Sequence, residues 1–345
     1  MKREVELKVH RDIGLDNTKG FLIFFVVLGH LLSNRIFLSS NSDASYYYYL
    51  HVTIYSFHMP AFIFISGYFS RGSEYDRYYL EKLAKTLLIP FLVFNSIIWV
   101  FDSEPINNVL AARAHMWYLL SLFFWRLIVH PFSRIRCSFG LSIILAVAVG
   151  FSDLSINLSA ARTVALFPFF LAGYNFKPRY FDSIKRLPKA FYIILIIASV
   201  FTVCVITYMN GMKQETAIFF TMAHPYSDTD LSPLQSMFMR LTALLIGFVI
   251  ALSLIALTPS KESILSKWGR NTFSIYLIHG FVIKVLGKLC GLFPVLRFAD
   301  EGLFIILSIA GACLLCFALA NQRVFSMFNT AINRVSGMLI KPSDC

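Results

Sequence analysis

Long apolar runs recur along this whole chain and limit its fold more than any other feature. A helix rises about 1.5 Å per residue, so roughly 20 apolar residues cross the hydrocarbon core of a bilayer. Ten runs approach this length, at about residues 19–38, 50–70, 83–101, 116–132, 138–152, 160–176, 189–210, 237–257, 271–289 and 302–321. The sequence therefore predicts an all-α polytopic membrane protein with about ten transmembrane helices. The fourth and fifth runs are short and their connection could be re-entrant, so nine to eleven spans fit the pattern.

The composition agrees with a membrane protein. Of 345 residues, 57% are hydrophobic and 14% are charged, which excludes an ordinary soluble globular domain. The net charge of +12 does not indicate nucleic acid, because in a membrane protein the positions of the cations matter more than their sum. We expect lipid to be a partner and nucleic acid not to be one. The polar first nineteen residues and the long run after them predict an uncleaved anchor rather than a signal peptide.

The positions of the cations predict an orientation. With ten helices and the amino terminus in the cytoplasm, 23 of the 31 lysines and arginines fall on the cytoplasmic side. The positive-inside rule then predicts that both termini are cytoplasmic, in a bacterial-type inner (plasma) membrane. Lys284, Lys288 and Arg297 are exceptions, since they fall on the outer side.

We expect a single integral-membrane domain, residues 1–345, because no internal repeat or linker interrupts the chain. Residues 1–18 form a short cytoplasmic lead-in, and residues 322–345 form a cytoplasmic tail whose apolar spacing predicts an interfacial helix. The longest outer loop, residues 211–236, is polar and could cover an external pocket or be a simple loop.

The first apolar run contains a histidine, His30, near the middle of the bilayer. Lys19 lies eleven residues before it, close to three helical turns, so the two side chains share a face about 16 Å apart. Ionisable groups at this depth are costly and usually face a bundle interior or a watery cavity, which favours a functional site. A structural histidine that hydrogen-bonds a neighbouring helix is the alternative.

Two further histidines lie at a similar depth in other predicted helices. His58 is about eight residues from the outer start of the second helix, and His279 is about eight residues from the inner start of the ninth. With His30 they predict a shared cavity near the midplane. Arg162, at the outer side, is a candidate contact for an anionic acceptor, although a role in anchoring the helix is an equal alternative.

The predicted cytoplasmic mouth is basic. Lys19, Lys82 and Lys85 lie at the inner ends of the first and third helices, with Asp16 one turn before Lys19. Such a cluster is ordinary for a cytoplasmic collar, but converging lysines also hold phosphates as point charges.

Five stretches, taken together, resemble a known family. In chain order they are DNTKGFLIFFVVLGH, FHMPAFIFISGYF, YLEKLAKTLLIPFLVF, MWYLLSLFFW and WGRNTFSIYLIHGFVI. They resemble the successive motifs of the membrane-bound acyltransferase family 3, and most of all its branch of fucose 4-O-acetylases and polysaccharide O-acetyltransferases. The resemblance extends over most of the chain.

The resemblance implies an activity and a set of site residues. The family takes acetyl groups from cytoplasmic acetyl-CoA and delivers them to carbohydrate hydroxyls, so the donor is acetyl-CoA and the acceptor a sugar. The family's essential histidine falls on His30, its basic residue eleven positions earlier on Lys19, and its aspartate on Asp16. The basic pair that opens the third helix falls on Lys82 and Lys85, where many relatives have arginine; lysine keeps the charge but loses the bidentate fork.

The resemblance gives these residues roles. Lys19, Lys82 and Lys85 would bind the CoA phosphates, and His30 would act as general base or accept the acetyl group itself. Asp16 is too far from His30 to orient it, so it would partner Lys19 or another residue of the mouth.

We therefore predict an acetyl-CoA-dependent O-acetyltransferase acting without a metal. The sequence contains no Walker A, HExxH or GxSxG motif and no aspartate-rich run, which disfavours an ATPase, a metalloprotease and a metal-dependent glycosyltransferase. The rival interpretation is a transporter or flippase, in which the midplane histidines and Pro60 serve proton coupling or a broken-helix site. The sequence leaves the oligomeric state open.

Overall fold

The computed structural model describes residues 12–38, 46–72, 75–102, 111–112, 115–152, 154, 159–210, 214–289 and 300–339. Within these ranges the chain forms α-helices, one π turn and short 3₁₀ turns, and no strand. The helices are α1 Ile13–Leu38, α2 Tyr46–Tyr68, α3 Arg77–Leu83, α4 Ile89–Asp102, α5 Trp117–Ser133, α6 Ser138–Ala148, α7 Ala160–Asn175, α8 Pro178–Lys185, α9 Lys189–Met209, α10 Gln214–Thr221, α11 Pro233–Leu257, α12 Ile264–Arg270, α13 Thr272–Leu289, α14 Glu301–Leu319 and α15 Gln322–Leu339. The prediction of an all-α fold is confirmed.

Six helical stretches among the described residues are long and apolar enough to cross a membrane. They are Ile13–Ser33, Tyr46–Tyr68, Arg77–Phe101, Lys189–Met209, Pro233–Leu257 and Glu301–Leu319. The other predicted spans correspond to the shorter helices α5, α6, α7 and α13. The chain is therefore a multi-pass, all-helical membrane protein, while the count of ten and the sides of the termini stay predictions.

Helices α1 and α12 cross at very close range because glycines lie where their backbones meet. A Cβ atom added to Gly269 would lie 1.8 Å from the carbonyl oxygen of Asp16, and one added to Gly20 would lie 1.9 Å from a carbonyl oxygen of α12. The Asn17 side chain donates to the carbonyls of residues 259 and 261, both at 2.8 Å. These contacts fix the start of α1, and with it the direction in which His30 points.

Helices α2 and α7 meet in the same way. A Cβ atom on Gly67 would lie 2.0 Å from the Phe170 carbonyl oxygen, and one on Gly173 would lie 1.9 Å from the Phe64 carbonyl oxygen. Only glycine allows two helix backbones to approach this closely. The crossing brings the histidines of α2 and the arginine of α7 to one layer of the protein.

The segment between α9 and α11 was predicted as an outer loop and contains helix α10. The Arg240 side chain, on α11, binds this segment to the bundle. This buried guanidinium donates to the His224 carbonyl at 3.3 Å and lies 5.3 Å above the Tyr226 ring. The Tyr226 hydroxyl donates in turn to the Val147 carbonyl at 2.9 Å. Arg240 therefore anchors the segment that covers the cavity described below.

The predicted tail forms helix α15, as the apolar spacing indicated. Residues 1–11 of the predicted lead-in, and Arg297, lie outside the described residues.

Candidate functional site

A cavity of about 680 Å³ lies between α1, α2, α5, α7, α10 and α13. Five of the eight histidines of the chain line it, together with two cations and no carboxylate among the described residues. The ionisable lining side chains other than tyrosine are His30, His51, His58, His115, Arg162, His224 and Lys284. The ionisable lining is therefore basic, and it includes His30 and His58, two of the three histidines for which the sequence predicted a shared cavity.

Three imidazoles form a cluster at one wall of this cavity. The His30 ring lies 5.2 Å from the His279 ring and 5.9 Å from the His115 ring, centroid to centroid. His115 and His279 are closer still, at 4.5 Å. Two of the three predicted midplane histidines, His30 and His279, thus meet directly, and the third member of the cluster is one that the sequence pattern did not single out.

His279 is fully buried behind the cavity wall rather than on its surface. Its Nδ1 donates to the Ile275 carbonyl at 2.9 Å, and this bond selects the tautomer with a proton on Nδ1. The Nε2 atom has no hydrogen-bond partner among the described residues. His279 therefore supports the rings of its two neighbours and has no direct access to the cavity.

His115 enters the cluster because residue 280 is a glycine. A Cβ atom on Gly280 would lie 2.1 Å from Cε1 of the His115 ring, so no side chain fits there. The Tyr276 hydroxyl donates to the backbone carbonyl of His115 and holds this segment on α13. His115 is 2% exposed, its ring nitrogens have almost no accessible surface, and its ring interacts with the backbone of Leu277 on α13.

His58 lies farther round the same cavity, in a second polar group on α2. Its Nδ1 donates to the Ile54 carbonyl at 2.6 Å, and its ring contacts the Tyr55 ring at 4.8 Å. The Ser33 hydroxyl, on α1, lies 3.1 Å from the Tyr55 hydroxyl and 2.9 Å from Nε2 of His51. This group connects α1 to α2 one turn beyond His30.

The two lining cations lie on different walls. Arg162, in the first turn of α7, lies 5.0 Å above the Trp117 ring and close enough to His30 for their charges to interact. Its buried Nε atom has no hydrogen-bond partner within the described ranges. Lys284, one of the cations that break the positive-inside pattern, faces the cavity on α13 near His115.

The predicted phosphate-binding residues lie away from this cavity, at the end of the bundle where α1 begins. Lys19 pairs with Asp16 at 2.7 Å and lies 5.0 Å above the Phe69 ring. Asp16 is therefore a partner of Lys19, about four turns from His30, in agreement with the expected pairing. We call this region the basic end.

Lys82 and Lys85 lie at the same end, on either side of the junction between α3 and a π turn at Ala84–Leu88. Lys82 is exposed, whereas Lys85 lies 4.0 Å from Glu81. Helix α5 packs against the π turn and carries Arg126, which donates to the Ser70 hydroxyl at 3.0 Å. The structure thus adds Arg126 to the cations of the basic end.

The sequence pattern did not single out three of the lining histidines, His51, His115 and His224. The first two were missed for different reasons. His51 lies seven residues before His58, or two turns, so the spacing itself could have identified a shared face. His115 precedes a predicted helix and lies outside any apolar run, so the sequence predicts a loop residue at this position. Its burial depends on a glycine 165 positions away in sequence, for which there is no local signal.

Comparisons with known proteins agree with this picture. A family profile described as an acyltransferase domain matches residues 12–321. Nodulation protein NolL of Mesorhizobium japonicum is 24% identical over 302 residues, which cover 80% of this chain and 78% of the relative. Nodulation protein NolL of Sinorhizobium fredii is 39% identical over 92 residues, 26% of this chain and 25% of the relative. No solved structure matches the chain significantly.

Proposed function

Because this chain belongs to acyltransferase family 3, we propose that it is an O-acetyltransferase that moves an acetyl group from acetyl-CoA to a hydroxyl of a carbohydrate. The acceptor that we propose is a surface polysaccharide or a lipid-linked precursor. One observation carries the proposal: His30 opens into a basic cavity, on the helix whose start carries Lys19.

The chemistry needs a group that exchanges protons near neutral pH. As the hydroxyl oxygen bonds to the acetyl carbon, its proton must leave, and the thiolate departs with the electron pair of the C–S bond. An imidazole can accept that proton, or it can take the acetyl group first and release it to the hydroxyl. His30 is our candidate for either role.

We further propose that the donor approaches from the basic end. Lys19, Lys82 and Lys85 would bind the phosphates of CoA, and the rise of about 16 Å from Lys19 to His30 suits the pantetheine arm. Asp16 would hold Lys19 in position through their ion pair. This arrangement needs a cytoplasmic basic end in the plasma membrane, with ten helices and both termini cytoplasmic, and 23 of 31 cations on that side support it.

The acceptor would occupy the cavity under α10. His58 and Arg162 line it and would contact the sugar, whereas His279 would act through the rings of His30 and His115. Acetyl-CoA and the sugar would then enter at different ends of the bundle and meet at His30.

Reconstituted protein tests the activity directly. We expect protein in lipid vesicles to move radiolabelled acetyl from acetyl-CoA into extracted surface glycan, as an ester that mild alkali releases. If the protein neither binds nor consumes acetyl-CoA, the enzyme proposal is wrong. Glycan flux across the same vesicles would then test the transporter alternative.

The phosphate role of the basic end predicts a dependence on the donor. Lys82→Gln should raise the KM for acetyl-CoA about tenfold, since a charge-assisted contact to phosphate contributes on the order of 1.4 kcal/mol. The KM for acetyl-pantetheine, which lacks the nucleotide phosphates, should not change. Steady-state kinetics with both donors measures this.

Arg136→Gln is the matched control, because Arg136 is an exposed cation on the α5–α6 turn and is not one of the predicted CoA-binding residues. The proposal is wrong if the two substitutions change the KM for acetyl-CoA equally, or if Lys82→Gln changes the KM for both donors equally. The lysines would then form a general cytoplasmic collar and would not bind CoA.

The position of Arg162 predicts an effect on the acceptor alone. Arg162→Gln should raise the KM for glycan about tenfold or more and leave the KM for acetyl-CoA unchanged, because its guanidinium faces the cavity and not the basic end. Kinetics with each substrate varied in turn measures this. A fall in thermal stability with unchanged glycan KM would instead support the anchoring role.

A further inference from the structure

We propose that the acceptor is an anionic glycan, whose carboxylate or phosphate group binds the guanidinium of Arg162 while the hydroxyl to be acetylated lies at His30. This inference rests on the proposed acetyl transfer and adds to it the class of sugar that the cavity selects. The anion belongs to an acidic sugar residue, or it is a phosphate of the glycan or of its lipid carrier, and these two sources are chemically separable.

The first support is the state of the Arg162 guanidinium. Its Nε atom is buried, and within the described ranges none of its three nitrogens makes a hydrogen bond or an ion pair. Its contacts are the Trp117 ring, at 5.0 Å, and electrostatic interactions with His30 and Tyr55. The two terminal nitrogens are open to the cavity that Arg162 lines. Because a charge removed from water is costly unless it is paired, this guanidinium calls for an anion in the cavity.

The second support is the contrast with arginines that hold the structure together. Arg71 also lies over an aromatic ring, 4.1 Å from that of Tyr68, but it donates to the backbone carbonyls of Tyr68 and Phe176 as well. Arg240 donates one of its nitrogens to a carbonyl of the segment that it anchors. In the described part of the chain Arg162 makes no bond of this kind, so anchoring of the backbone does not account for its charge.

The third support is the sign of the charge around the cavity. Lys284 adds a second cation to the lining, and no carboxylate among the described residues lines the cavity. The carboxylate of Asp228 lies 2.9 Å from His224 at the rim, where both side chains are exposed, so it is already paired there. A cleft lined by one sign of charge raises the local concentration of ligands of the opposite sign. The cavity therefore favours an anionic over a neutral acceptor.

The position of Arg162 also fits a role in orienting the acceptor. Arg162 and His30 line the same cavity, whose volume of about 680 Å³ is of the size that holds a small ligand. A guanidinium binds a carboxylate or a phosphate through two parallel hydrogen bonds, which fixes the direction of the bound group. An anion held there leaves a hydroxyl of the same or the neighbouring sugar at His30. Arg162 is thus a specificity-determining residue and takes no part in the bonds that form and break.

Changing the glycan tests the inference with the protein intact. Extracted surface glycan is compared with the same material after its carboxylates are converted to neutral carboxamides, and after its phosphates are removed. One of these treatments should raise the KM of the wild-type protein for glycan about tenfold or more, because a charge-assisted bidentate pair is lost. The KM for acetyl-CoA should not change. The treatment that has the effect identifies the anion as a carboxylate or as a phosphate.

Variants of Arg162 connect this preference to the guanidinium. In Arg162→Gln the charge pair is already absent, so the KM values for native and neutralised glycan should lie within about twofold of each other. Arg162→Lys keeps the charge but loses the fork, and we expect an intermediate preference. Arg136→Gln is the matched control, because Arg136 is an exposed cation that does not line the cavity. It should keep the full preference for the native glycan.

Three results would overturn the inference and leave the acetyltransferase in place. The first is wild-type protein that uses native and neutralised glycan equally well. The second is an Arg162→Gln variant that keeps the full preference for the native glycan. The third is a raised KM for acetyl-CoA in Arg162→Gln, which would place the CoA phosphates in this cavity. Wild-type protein that neither consumes acetyl-CoA nor labels any glycan removes the proposed function and this inference together.

Discussion

Replacing His30 with glutamine is expected to lower acetyl transfer by at least about 10³-fold, with glycan and with hydroxylamine alike. Glutamine fills a similar volume and keeps a hydrogen-bonding group, but it can neither accept a proton near neutral pH nor carry an acetyl group. Hydroxylamine attacks a thioester without needing a base, so a loss with this nucleophile as well means that His30 acts on the acetyl group itself. The measurement is transfer of radiolabelled acetyl from acetyl-CoA to each nucleophile by reconstituted protein.

His130→Gln is the matched control for this substitution. His130 lies on α5, contacts the Tyr75 ring at 4.8 Å and does not line the cavity. We expect its activity to equal that of wild type. If His30→Gln keeps full activity, the family assignment still stands, but the acetyl transfer does not depend on this residue of α1.

The second large effect is expected on stability, from Gly269→Ala. The new Cβ atom would lie 1.8 Å from the Asp16 carbonyl oxygen, and because this neighbour is backbone it cannot rotate away. Helices α1 and α12 must separate, which weakens the bonds from Asn17 to the 259–261 turn. Overpacking of this kind costs on the order of 3 kcal/mol. We expect the unfolding temperature in detergent to fall by about 4 °C.

Gly140→Ala is the matched control, since alanine favours a helix over glycine and the added Cβ atom meets nothing within 4 Å at that position. Its unfolding temperature should equal that of wild type or exceed it slightly. If Gly269→Ala unfolds at the wild-type temperature, the two helices do not cross as closely as described, and the orientation of Lys19 and His30 must be reconsidered.

The sequence predicted the helices because lipid leaves few alternatives for a long apolar segment. Backbone groups in hydrocarbon must bond within the segment, so an apolar run of spanning length becomes a helix. The ends of the runs were less predictable, since polar residues extend two helices. Helix α1 begins at Ile13 rather than near residue 19, with Asp12 accepting from the Leu15 amide at 3.1 Å. Helix α3 begins at Arg77 because Asp76 caps it.

The sequence also identified part of the candidate site through spacing within single helices. Lys19 and His30 share a face of α1, and that relation follows from the helical repeat alone. The depth of His279 in its helix indicated a meeting with His30, and the two rings lie 5.2 Å apart.

By itself, then, the sequence determined which segments are helical, which of their faces are polar, and where the positive charge lies. Only the tertiary structure decided that His115 joins His30 and that Lys284 and Arg162 face one cavity. The reason is physical: helix formation depends on residues a few positions apart, whereas the choice of neighbouring helices depends on backbone contacts between distant segments. Here those contacts are set by glycines 20, 67, 173, 269 and 280, whose effect is visible only once their partners are in place.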